Sequence, residues 1–172
     1  MRIYEGSPRQ DWEEVLRAIG SFADHEHLKE LLFLELEDGF LLQGLTVPDA
    51  GAWSESSGQL AKRTYELLDE QVAQLIDEAL AHRGTASDPH PHVEIANFYE
   101  QAMRVLGAWL DSQRPRDLFF FEQDGSFVVR MLTATQTRTG HQLAEFTKDE
   151  ILAMIEAAPQ QRQPASEAGA KT

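Results

Sequence analysis

The sequence predicts an α+β fold built from two tandem copies of a helix–three-strand–helix unit with antiparallel strands, closed into one pseudo-twofold-symmetric body. Three observations carry that expectation. Residues 12–47 and 99–134 align without a gap at a spacing of 87 and share ten identities, where chance composition gives roughly two or three. Each copy opens with apolar residues at helical spacing. Each then passes into apolar runs separated by Asp-Gly.

The shared positions are Glu13/Glu100, Arg17/Arg104, Gly20/Gly107, Asp24/Asp111, Leu31/Leu118, Phe33/Phe120, Glu35/Glu122, Phe40/Phe127, Leu45/Leu132 and Thr46/Thr133. In chain order, Ser7-Pro8-Arg9-Gln10 reads as a helix start, with Ser7 as cap, Pro8 at the first helical position and Gln10 at capping-box spacing. The helix runs to about Asp24, with Trp12, Val15, Leu16, Ile19, Phe22 and Ala23 as its core-facing stripe. Tyr99, Ala102, Met103, Leu106, Trp109 and Leu110 repeat the stripe, and Val93, Ile95 and Ala96 extend it back towards Pro91.

A hairpin follows each helix: Leu31–Leu36 and Phe40–Val47 around Asp38-Gly39, then Leu118–Gln123 and Phe127–Ala134 around Asp124-Gly125. Asp-Gly supplies the positive φ angles of a tight turn. The dipeptide sits one position earlier in the second copy, so the two turns are expected to differ. Third strands are expected near Gln59–Leu67 and Gln142–Phe146, marked by a shared Gln-Leu-Ala. Asp69 then precedes one closing helix, and Thr147-Lys148-Asp149-Glu150 opens the other with capping-box spacing. The resulting organisation is a first unit at 1–84, a linker at 85–92, a second unit at 93–158 and a disordered tail at 159–172.

Both faces of the first strand in each copy are mostly apolar: Leu31, Phe33 and Glu35 alternate with Leu32, Leu34 and Leu36. Helices can cover one face. The other then requires the sister unit or another chain, because an exposed apolar sheet is a binding or aggregation surface. A homodimer is one way to cover it.

The identities in the helices fall beside the apolar stripe. A mid-helix glycine costs roughly 1 kcal/mol relative to alanine, yet it occurs at Gly20 and again at Gly107. Close backbone approach offsets such a cost. The expected repeat interface therefore has the two helices crossing near these glycines, with Glu13 facing Arg104 and Glu100 facing Arg17. A solvated flank inherited from duplication, with Glu13 and Glu100 pairing along their own helices, accounts for the same pattern.

Composition narrows the functions. The 172 residues carry 15 Lys+Arg against 29 Asp+Glu, a formal net charge of -14, which repels phosphate backbones and anionic lipid. No nucleic-acid and no membrane partner is expected. The absence of cysteine removes disulfides, thiol catalysis and thiolate metal sites. No apolar leader or spanning segment is visible, so the expected compartment is the cytoplasm.

Glu35 and Glu122 are the candidate inter-repeat site. They are acids at matching positions in apolar strands, and two carboxylates brought together share a proton or hold a cation. Asp24-His25-Glu26-His27 and His90-Pro91-His92 offer donors without a recognised metal spacing, and no metal or cofactor is assigned. Phosphate loops, nucleophile elbows and zincin motifs are missing. Trp53 is a candidate partner anchor, or else a lid on the nearest apolar face. The first expectation is thus a non-enzymatic protein-interaction or adaptor module. The alternative is a small-molecule or metal-dependent enzyme or sensor with its site between the repeats.

Overall fold

The computed structural model describes residues 11–46, 60–83, 98–134 and 139–158. Ser7 to Gln10, Trp53, His90, His92, the Val93–Ala96 extension, the 85–92 linker and the tail from 159 lie outside the described residues. The elements in order are α1 (Trp12–His25), β1 (Lys29–Leu36), β2 (Gly39–Thr46), β3 (Ala61–Leu68), α2 (Asp69–Arg83), α3 (Phe98–Gln113), β4 (Arg116–Gln123), β5 (Ser126–Ala134), β6 (Thr139–Phe146) and α4 (Lys148–Ala157). The fold is α+β, with four helices and one six-stranded antiparallel sheet among the described residues.

The sheet order is β3-β2-β1-β4-β5-β6. Two three-stranded meanders therefore meet edge to edge at β1 and β4, where Leu32, Phe33 and Leu34 pair with Phe121, Phe120 and Phe119. Joining at an edge extends the sheet and leaves neither meander stacked on the other's face. All four helices pack on one side, their buried residues sharing a single core with Leu31, Phe33, Phe40, Leu42, Leu118, Phe120, Phe127 and Val129. A row of rings crosses the seam: Phe33 stacks on Phe120 at 4.7 Å, with Phe40 at 5.2 Å from Phe33 and Phe127 at 5.7 Å from Phe120. Offset stacks of this kind add to the burial of the rings themselves.

The helix ends differ in one place from the sequence expectation. Asp11 caps α1, its carboxylate accepting from the Glu14 amide at 2.9 Å, because it stands immediately ahead of Trp12 where the third amide is within reach. The start expected at Ser7 is therefore not the cap of this helix. In α4, Thr147 and Glu150 form the reciprocal capping box that their spacing specifies.

The two hairpin turns differ. In the second, Asp124 and Gly125 are the central pair with φ of 52° and 85°, the signature of a type I′ turn. In the first, Leu36 pairs with Gly39, so Glu37-Asp38 form the turn and Gly39 begins β2. Glycine is still required there: φ is 152°, and a Cβ would lie 2.9 Å from Leu68 Cα and closer still to the Leu67 carbonyl oxygen. Each first strand also carries a bulge. Glu30 and Asp117 adopt φ of 54° and 52° at the register shifts in β1 and β4, and such an extra residue takes the following amide out of the ladder.

Candidate functional site

Four kinds of matched residue meet along α1 and α3, which lie antiparallel. A Cβ at Gly20 would fall 2.9 Å from Glu100 Cα and nearer the Tyr99 carbonyl, and one at Gly107 would fall 2.7 Å from Glu13 Cα and nearer the Trp12 carbonyl. The glycines do not face each other. Each lies under the first turn of the opposite helix, with about 10 Å of helix between the two contacts. Arg17 Nε reaches Glu100 Oε1 at 2.9 Å, while Arg104 approaches Glu13 at 3.7 Å and also donates to Gln101 at 3.2 Å. The two Arg–Glu contacts run between helices, and the Gln101 contact runs along α3.

The fourth kind went unread in the sequence. Asp24, near the end of α1, accepts from the amides of Tyr99 and Glu100 at 3.1 and 2.8 Å. Asp111, near the end of α3, accepts from the amides of Trp12 and Glu13 at 2.9 and 3.1 Å. Each helix is thus capped by a carboxylate from the far end of the other, which also sits favourably at the positive end of the dipole. The only sequence signal was the Asp24/Asp111 identity itself. Burial raises the Asp24 pKa to about 6, against the two amide hydrogen bonds that lower it.

Glu35 and Glu122 are not brought together. Continuing the β1–β4 register places Glu35 opposite Leu118 and Glu122 opposite Leu31, about 13 Å apart along the strands. The reason is the antiparallel pairing about Phe33 and Phe120, which sends residues two positions onward in opposite directions. Each carboxylate instead takes the amide next to the neighbouring strand's bulge, Leu118 N to Glu35 at 3.0 Å and Leu31 N to Glu122 at 3.3 Å. Glu122, only 3% exposed, also accepts from Gly125 N at 2.6 Å and from the Tyr99 hydroxyl at 2.8 Å. Burial raises the Glu35 pKa, and burial followed by the Glu122 charge pushes the Tyr99 phenol up.

Two surfaces of the described residues stand out as places for a ligand or partner. The first is a cavity of about 390 Å³ where the start of β1, the start of α3, the β4–β5 turn and Lys148 converge. Tyr99 and Glu122 form part of its wall. No grouping of three or more His, Asp or Glu able to hold a metal occurs among the described residues. His25 and His27 belong to no such grouping among the described residues.

The second surface is the sheet face opposite the helices. It presents Leu32, Leu34, Leu41, Leu45, Phe119, Val128 and Leu132, all partly exposed. Phe121, Leu68 and Leu143 stand out further, at 39, 49 and 65% exposure. Arg130 and His141 sit beside one another on this face at 3.3 Å, and with Glu35 and Asp117 they line a depression of about 190 Å³ that Leu34, Phe119 and Leu132 also border. The two-sided apolar character of the first strands was the sequence signal for this face. No helix of the described residues is long and apolar enough to cross a membrane.

No protein-family model, curated protein or solved structure matches this chain.

Proposed function

We propose that this protein is an interaction module whose recognition surface is the sheet face opposite the helices. The observation that carries the reading is the apolar centre of that face. Phe121 and Leu143 are exposed on it, with Val128 and Arg130 of the intervening strand between them and Leu34, Phe119 and Leu132 alongside, while all four described helices occupy the other side. Contiguous apolar surface on a folded chain marks an interaction site. The formal charge of -14 disfavours close approach of two copies and favours a partner of lower acidity. A heterologous protein partner is therefore preferred to a homodimer.

The same reading takes residues 1–84 and 93–158 as two α-β-β-β-α units of one duplication, related by a local twofold axis at the β1–β4 seam. Reciprocal caps, reciprocal glycine contacts and bulges at Glu30 and Asp117 support it. The edge-to-edge join then explains the surface, since duplication doubles the open face without covering it. The alternative of an enzyme or sensor is weakened where it relied on Glu35 and Glu122 sharing one site.

A photo-crosslinking side chain at Phe121 in cells of the native host tests the proposal, with the exposed helix position Ala108 as control. A discrete adduct from 121, absent from 108 and lost when Leu143→Glu is added, is expected. Light scattering of the same variants reports self-association. Equal labelling from both positions, with unchanged oligomeric state, sinks the reading.

A further inference from the structure

A second site lies apart from the sheet face. We propose that the cavity beside the start of α3 binds an aliphatic cation, an ammonium or guanidinium group on a short hydrocarbon stem. At about 390 Å³ it falls within the usual range for small-ligand pockets. Leu28, Leu60 and the rings of Phe98 and Tyr99 supply apolar walls. The two rings stand edge to face at 5.6 Å, and an aromatic face near a carboxylate is a favourable place for a cation.

Charge decides the sign of the ligand. Four carboxylates border the cavity, from Asp24, Glu30, Glu122 and Asp124, against two lysines, Lys29 and Lys148, and one histidine. An anion would depend on backbone amides as well, and four of those nearby are already occupied. The Tyr99 and Glu100 amides donate to Asp24, Gly125 N donates to Glu122, and Glu150 N donates to the Thr147 hydroxyl. Neutral N–H or O–H donors do not cancel the charge of an ionised carboxylate, so an ionised Asp24 or Glu122 still acts on the cavity. The stem of the ligand would lie along the leucines while its head approaches Glu30 and Asp124, both exposed at the rim.

Cadaverine, titrated into the uniformly ¹⁵N-labelled full chain, tests the proposal against pentane-1,5-diol and glutarate as neutral and anionic isosteres. Saturable shifts of the Glu30, Tyr99 and Gly125 amides are expected at about millimolar cadaverine, with neither isostere reproducing them. The double variant Glu30→Gln, Asp124→Asn should weaken binding about tenfold; asparagine tolerates the positive φ at 124, which preserves the turn. Lys148→Gln should act oppositely and tighten binding about threefold, a change that damage to the fold does not produce. Tighter binding of Nα-acetyl-lysine amide than of cadaverine assigns the site to a polypeptide side chain, and the reverse order assigns it to a free amine. Equal shifts with glutarate, or an affinity insensitive to the rim charges, overturns the proposal. Neither result bears on crosslinking from Phe121, so the two readings fail separately.

Discussion

Asp24 accepts the amide hydrogen of Glu100 at 2.8 Å, and so the end of α1 caps the beginning of α3 from 76 residues away. Local capping is usually a matter of neighbouring residues. Here it ties two helices together at both ends, because Asp111 returns the same contact to Trp12 and Glu13.

The Asp24 cap has a pH signature. An ordinary aspartate titrates at 3.8, and burial holds this one at about 6 in the folded chain. Between those values the folded state binds the proton more tightly than the unfolded state, so this group makes stability fall as pH rises from about 4 to 6, and the effect then levels off. Urea unfolding across that window should show the slope, and Asp24→Asn should flatten it. An unchanged slope in the variant assigns the pH dependence to other carboxylates.

The glycine contacts predict an inversion of ordinary helix propensity. Gly20→Ala would gain up to about 1 kcal/mol at an exposed helical site. At this contact the new methyl group meets the backbone of Tyr99 and Glu100. A net loss of about 1–3 kcal/mol is expected, and likewise for Gly107→Ala against Trp12 and Glu13. Denaturant midpoints equal to or above that of the parent protein would exclude the close approach.

Glu122 and Glu35 should not be equivalent. Glu122→Ala leaves Leu31 N, Gly125 N and the Tyr99 hydroxyl without their acceptor, at a cost of about 3 kcal/mol or more. Glu35→Ala strands the Leu118 amide and should cost about 1–2 kcal/mol. Hydrogen exchange gives the local readout: Leu31 should lose protection in the first variant and Leu118 in the second. Equal destabilisation by both would contradict the hydrogen-bond inventory.

The Arg17–Glu100 pair is short, at 2.9 Å, with 14 and 22% side-chain exposure. A double-mutant cycle with Arg17→Gln and Glu100→Gln should return a coupling of about 0.5–1 kcal/mol that shrinks in high salt. Zero coupling at low salt would place the pair among contacts that contribute nothing measurable.

Much of this arrangement was legible in the sequence. The spacing of Trp12, Val15, Leu16 and Ile19 specified a helix, the apolar runs around Asp-Gly specified hairpins, and Thr147 with Glu150 specified a capped start. Periodicity and local turn chemistry are properties of neighbouring residues, so they survive without knowledge of the fold. The offset of 87 went further. Glu13, Arg17, Gly20, Asp24, Phe33, Glu35 and Phe40, with their counterparts, all lie along the seam or beside it.

What each of those residues does was decided only by tertiary structure. Asp24 and Asp111 become caps because α1 and α3 run antiparallel. Glu35 and Glu122, which looked like partners, are driven to opposite ends of the β1–β4 ladder because antiparallel pairing about Phe33 and Phe120 separates everything beyond the centre. The same edge-to-edge pairing left the second sheet face uncovered by any described helix. A sequence states which side chains want burial or partners; the relative direction of two chain segments determines which partners they find.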